Sequence, residues 1–247
     1  MAARPRWQRR EGKAQFVSTV FRPADEREIA RFLAAATARS EPVEIGGNGT
    51  KRGVGRPLQA AQAMTTQSLA GVTLYEPSEM VMSARSGTPL ARIEEELARK
   101  NQRIAFEPLD LGPALGMAAG AASIGGVFAA NLSGARRIAV GAARDHLLGV
   151  RAVTGKGDIV KSGGRVMKNV TGYDVARALA GSWGTLAMLT EVKFKVAPVP
   201  EETATQLVLG LLVAIGVEMM CAAMGAPYEV SGTVHIDAAL SLRLRYA

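Results

Sequence analysis

The chain has 247 residues, 48% of them hydrophobic, and a net charge of +8, enough for one large domain or two modest ones around a sizeable core. Aromatic residues make up only 5%, which excludes a base-stacking surface for nucleic acid. One cysteine, Cys221, and two histidines, His146 and His235, exclude an internal disulfide and any metal site built from several thiols or imidazoles.

Residues 1–15 read as a disordered basic tail crowded with Arg4, Arg6, Arg9, Arg10 and Lys13. No apolar run follows them, so they are not a secretory signal. Pro23-Ala24-Asp25-Glu26, followed by Ile29, Phe32 and Leu33, predicts a helix with acidic residues in its first turn. Pro42-Val43-Glu44-Ile45 predicts a short strand, ending in a tight loop from Gly46. Leu74-Tyr75-Glu76 and residues 80–85 predict strand pieces around a turn. Thr88-Pro89-Leu90 opens a helix whose Leu90, Ile93 and Leu97 share one buried face. Residues 112–134 are nearly all glycine, alanine and other small residues, too glycine-rich for an ordinary helix or strand. Residues 147–154 predict a strand, Gly155-Lys156-Gly157-Asp158 a hairpin turn, and Ile159-Val160 the return strand. A loop over 162–172 leads into a helix at 175–180, which Gly181-Ser182-Trp183-Gly184 stops. A strand at 186–196 follows, and Pro198 and Pro200 mark a boundary. Beyond it we read a strand at 203–210, a helix at 212–224 and a strand at 228–235. The longest apolar stretch, 207–217, is shorter than the ~20 residues of a bilayer span. It reads as a buried strand running into a helix.

The 27 glycines are clustered, which suggests backbone surfaces that something approaches closely. Gly46-Gly47-Asn48-Gly49-Thr50-Lys51-Arg52-Gly53 can turn several backbone amides into one concavity for an anion, with Lys51 and Arg52 offering charge. The same run also reads as an ordinary tight turn. Better-known phosphate motifs fail: a Rossmann fingerprint would need glycine where Arg52 stands, and Gly155-Lys156 lacks a following serine or threonine. Ser123-Ile124-Gly125-Gly126, with Asn131 behind it, suits either a flat ring system lying on bare backbone or close packing between elements. Trp183 is expected to be a core aromatic, Asp174 to cap the helix after it, and the Asp145-His146 pair to be structural rather than a proton relay.

The ordered set then takes on a family likeness. Gly46 to Thr50, Ser86-Gly87-Thr88-Pro89-Leu90, Ile124-Gly125-Gly126, Asn131, Gly141, Asp145, Gly155-Lys156-Gly157, Lys168-Asn169-Val170-Thr171-Gly172-Tyr173-Asp174 and Gly181-Ser182-Trp183-Gly184-Thr185 stand in one order. Together they resemble the FAD-binding domain of the vanillyl-alcohol oxidase / p-cresol methylhydroxylase flavoproteins. More narrowly, Gly134-Ala135-Arg136-Arg137-Ile138 and residues 142–153 and 162–169 resemble the FAD-binding subunits of bacterial glycolate oxidases.

The resemblance implies an α+β fold: a two-subdomain FAD-binding domain at 16–200, divided at about residue 80, then the start of a truncated α+β cap domain at 201–247. It implies that Gly46, Gly47, Asn48, Gly49, Thr50 and Lys51 hold the diphosphate. Ser123, Ile124, Gly125, Gly126 and Asn131 would line the flavin and ribityl region, with Gly184, Leu189 and Thr190 near the ring or adenosine end. Asn48, where many relatives have glycine, is expected to accept a positive φ in its place. Some relatives tether the flavin through histidine near this loop; Lys51 stands there, which implies non-covalent FAD. The implied activity is oxidation of a 2-hydroxy acid, most specifically glycolate to glyoxylate, with D-lactate or alcohol dehydrogenase chemistry, or a structural subunit, as alternatives. The implied partners are a second flavin subunit and an iron–sulfur subunit, in the cytoplasm, with membrane contact only through them.

Overall fold

The computed structural model describes residues 20–56, 58–164 and 173–236. The basic tail and residues 168–172 of the family pattern lie outside them.

The chain is α+β. Strands β1 (Val20–Phe21), β2 (Val43–Gly46) and β3 (Gln62–Thr65) form a small parallel sheet in the order β1-β3-β2. Helix α1 (Glu26–Ala38) begins where Asp25 accepts from the amides of Arg27 (2.8 Å) and Glu28 (2.9 Å). Its Ile29, Leu33 and Ala36, one face at helical spacing, are buried.

The second sheet is antiparallel and larger. Strands β4 (Val72–Glu76), β5 (Val81–Arg85), β7 (Leu147–Thr154), β8 (Ile159–Gly163) and β9 (Ala187–Lys195) run in the order β4-β5-β9-β7-β8. Helix α2 (Leu90–Ala98) buries Leu90, Ile93 and Leu97. Strand β6 (Gln102–Arg103) pairs with β10 (Ala197–Pro198) at the edge. The short helices α4 (Arg137–Val140), α5 (Ala143–His146) and α6 (Val175–Leu179) complete this half, and the Asp174 carboxylate caps α6 by accepting from the Arg177 amide.

Between β6 and α4 the structure departs from the sequence reading. Residues Ile124–Ala130, inside the segment judged too glycine-rich for a helix, form helix α3. Burial overrides propensity here. Val127 and Phe128 are fully buried, and Phe128 packs against Phe106 and Phe194 at ring-centroid distances of 5.7 and 5.4 Å. Ser123 caps the helix and Asn131 ends it with a left-handed φ of 51°.

The region after Pro200 also differs. Helix α7 (Val213–Met224) forms, but no strand forms at 203–210 or 228–235. The apolar run expected to be buried is exposed, with Leu207 at 77% and Leu212 at 74%. A strand needs a neighbour to pair its main chain, and these residues have none among those described.

Two hydrophobic clusters hold the halves. The larger fills the space between the antiparallel sheet, α2 and α3. The smaller joins Ile29 and Leu33 of α1 and Met64 of β3 to Val153 of β7 and Met188 of β9, so α1 fastens the parallel sheet to the antiparallel one. A polar clamp lies beside it: Glu26 pairs with Arg151 and accepts from Thr190 Oγ1 at 2.5 Å. The hydrogen bond from Arg151 holds the Glu26 carboxyl below its ordinary value of 4.5, against the opposing effect of burial.

A carboxylate with a lowered folded pKa contributes stability above its unfolded pKa, and that stability is lost as pH falls through the folded one. Urea unfolding of wild type and Glu26→Gln across a pH series should therefore differ most near neutrality, with the difference shrinking below the unfolded value and vanishing in acid below the lowered folded one. A gap of constant size at every pH would mean the charge plays no part.

Candidate functional site

Between the two sheets lies a small, half-open cavity of about 70 Å³. Its wall includes Gly46 and Gly47 from the end of β2, Gly125 and Gly126 from the first turn of α3, and Gly184 and Leu189 around the start of β9. All six were singled out in the sequence. Six more were not among the expected cofactor contacts, although Ser86 and Trp183 stand in the family pattern: Ile45, Thr66, Ser86, Ala129, Trp183 and Met188. A larger cavity of about 560 Å³, near Glu94, Arg103 and Glu107, contains none of the expected site residues.

The wall is assembled by close approach of backbone. A Cβ on Gly125 would stand 2.5 Å from Ser86 Cβ, and one on Gly47 would overlap Ser123 Oγ. A Cβ on Gly87 would overlap the carbonyl of Thr66. Main-chain bonds then lock the pieces: Ile124 N to Thr88 O, Gly125 N to Ser86 O and Ser86 N to Thr190 O, each 2.9 Å. The amide of Gly126 donates to Ser123 Oγ at 3.3 Å. The first amides of α3 are thus used within the chain.

The loop after β2 is different. The amides of Asn48, Gly49, Thr50 and Lys51 donate to no acceptor among the described residues. Gly49 takes the positive φ, 76°, that turns the loop. Asn48 does not take a positive φ, contrary to expectation; its side chain instead donates from Nδ2 to Ala121 O at 2.7 Å, tying the loop to the segment before α3. Arg52 is not free charge either, because Glu44 holds it through two hydrogen bonds of 2.6 Å. Lys51 is half-buried and forms no ion pair among the described residues. Burial lowers its pKa below the ordinary lysine range, and Asp110 opposes that shift. A Cβ on Gly126 would stand 3.6 Å from Lys51 Nζ, so the lysine leans toward the start of α3.

Four amides and one cation without partners among the described residues are groups that an anion could engage. They adjoin a cavity floored by glycine. A dinucleotide, with a diphosphate between two planar rings, fits that pairing of features.

Other expected residues serve the chain itself. Thr50 is 4% exposed. Ile124 faces the core, and Ser123 caps α3. Asn131 Oδ1 accepts from the Arg144 amide at 2.9 Å, which holds α5. Thr190 Oγ1 belongs to the Glu26 clamp. His146 is half-buried, bonded through Nε2 to Val140 O at 2.9 Å and packed on Phe106; burial lowers its pKa, and it sits as a structural group. Trp183 is no core aromatic: it is 46% exposed, takes a left-handed φ of 54° and lines the cavity. Its place between Ser182 and Gly184, in a turn, was the available signal.

Residues 17–163 match the family model described as an FAD binding domain. The chain is 36% identical over 213 residues to the glycolate oxidase subunit GlcE of Escherichia coli (strain K12), covering 85% of this chain and 57% of that protein. It is 28% identical over 180 residues to a D-lactate dehydrogenase of Archaeoglobus fulgidus (72% and 38%). It is also 28% identical over 191 residues to the glycolate oxidase subunit GlcD of Bacillus subtilis (77% and 39%). The chain therefore spans between about two fifths and three fifths of the length of these relatives. Among solved structures, alkyldihydroxyacetonephosphate synthase in two crystal forms matches with TM-scores of 0.56 and 0.57 at 20% identity, over 74% of this chain and 32% of that one. That likeness is one of fold.

The wall predicts a contrast between adjacent glycines. Gly125→Ala should destabilise the chain by about 1–3 kcal/mol, because Ser86 cannot withdraw. Gly126→Ala meets only Ser123 Oγ at 3.1 Å and the lysine tip, and should leave folding nearly unchanged. Thermal melts of the two ligand-free variants check this; equal losses would refute the packing account.

Proposed function

The chain belongs to the FAD binding domain family, and on that premise we propose that it is the FAD-holding part of a flavin-dependent oxidoreductase acting on a 2-hydroxy acid, most specifically glycolate. The observation that carries this reading is the row of unpaired amides at 48–51 closed by unpaired Lys51. FAD, non-covalently bound, supplies the two-electron acceptor.

The protein's part is to bind and orient. Gly46, Gly47, Asn48, Gly49, Thr50 and Lys51 take the diphosphate, mostly through main-chain amides. Gly125, Gly126, Gly184 and Leu189 give the rings bare backbone and one apolar side chain to lie against. Ser123, Ile124, Asn131 and Thr190 hold those walls in register. Glycolate is favoured by the 36% identity to GlcE. D-lactate is the second reading, favoured by the likeness to D-lactate dehydrogenase.

The relatives named as subunits support a multi-subunit assembly, and we propose a second flavin subunit and an iron–sulfur subunit as its other members. With one cysteine, this chain cannot supply the ligands of a cluster. We assign 201–247 to the start of a cap domain, in keeping with the uncovered apolar residues around α7. No helix among the described residues is long and apolar enough to cross a membrane, and we place the complex in the cytoplasm, touching membrane only through its partners.

Purified chain incubated with FAD should carry the two flavin absorbance bands after desalting; their absence would end this reading. Gly49→Asp, which forces a side chain into a positive φ and puts a carboxylate on the diphosphate loop, should cut flavin affinity by about tenfold or more. Affinity should also fall in alkali, as pH rises through the lowered pKa of Lys51 and its charge is lost. Lys51→Met should bind more weakly at neutral pH and show no such alkaline fall. Turnover of glycolate, D-lactate and simple alcohols by the intact complex separates the substrate readings.

A further inference from the structure

Ser86 lies where β5 turns into α2, on the wall of the cavity between the sheets. It is 1% exposed, and its hydroxyl has no hydrogen-bond partner among the described residues. Its main chain is fully engaged: the amide donates to Thr190 O and the carbonyl accepts from Gly125 N, both at 2.9 Å. The residue is therefore held in place without its side chain. Alanine would keep the same bonds and the same packing against Gly125. A buried hydroxyl that bonds to nothing opposes folding, and native structures retain few of them. Three other buried hydroxyls near this wall are used: Ser123 caps α3, Thr88 bonds to Arg85 O and Gly71 O, and Thr190 bonds to Glu26.

We propose that Ser86 Oγ is a hydrogen-bonding contact for the bound dinucleotide, reaching a polar edge of one of its two ring-bearing halves. The inference rests on the FAD reading above, and adds a residue that the glycine segments do not contain. Ser86 acts as a positioning residue. It orients the ligand without being required for the protein to fold.

That division gives a signature of opposite signs. Ser86→Ala should leave the melting temperature of the ligand-free chain unchanged or slightly raised, while weakening FAD about five- to tenfold, the worth of one hydrogen bond. Ser133→Ala is the structural counterpart, because Ser133 Oγ accepts from the Ala143 amide at 2.9 Å. It should lower the ligand-free melting temperature and leave FAD affinity near wild type.

Affinity can be read inside the cavity. The chain has two tryptophans, Trp7 and Trp183, and Trp183 lines the same wall as Ser86. In a Trp7→Phe background, quenching of Trp183 emission by added FAD reports occupancy directly. Titrations with FMN and with ADP assign the contact, since the half whose binding weakens in Ser86→Ala is the one Ser86 touches. If wild type binds no FAD, the functional reading and this inference fall together. If wild type binds and Ser86→Ala binds FAD, FMN and ADP equally well, the inference alone is overturned. A lowered ligand-free melting temperature in Ser86→Ala, with unchanged FAD affinity, would overturn it too, by making the hydroxyl structural.

Discussion

The site depends on one steric fact: three stretches of backbone meet with almost no side chain between them. Gly87 sits against the Thr66 carbonyl, Gly125 against Ser86, and Gly47 against Ser123. Each glycine brings a different element to the same place, from the β5–α2 turn, from α3 and from the end of β2. Once they are that close, main-chain bonds at 86–90 and 122–125 follow, and these fix where α3 starts. Helix α3 in turn carries Phe128 into the aromatic cluster with Phe106 and Phe194. Core and cavity are therefore two sides of one contact.

This explains which parts of the structure the sequence made legible. Helices α1 and α2 have caps or opening prolines and an apolar face at helical spacing, which are local properties. Strand β7 and the turn after it are likewise local, through a mostly apolar run bounded by Gly155-Lys156-Gly157. Helix α3 is not local. Two glycines in its first turn argue against a helix in isolation, and the burial of Val127 and Phe128 decides otherwise. Residues 203–210 fail in the opposite direction: their composition suits a strand, but pairing is a property of two segments, and the second is absent among the described residues.

The site shows the same division. Glycine clusters could be seen in the sequence because composition records them. Ser86 stands in the family pattern, but its role could not be read there, because an engaged main chain around an unengaged hydroxyl appears only after folding. Charge was half visible. Lys51 and Arg52 look equivalent as neighbours, yet Glu44 on β2 takes Arg52 and leaves Lys51. The ligand's counter-charge is then one half-buried lysine beside a row of amides, although the chain as a whole carries +8.

The glycines themselves separate into three roles that composition cannot distinguish. Gly49 serves a backbone angle, Gly125 serves contact within the chain, and Gly126 lets the Lys51 side chain lean over the start of α3. Only the third kind is directly available to a ligand. A glycine-rich segment is therefore evidence of close approach before it is evidence of binding, and much of that approach here is the protein meeting itself. Among the described residues the fold leaves four amides, one lysine and one buried hydroxyl unused beside this cavity, and these are the groups a ligand would have to engage.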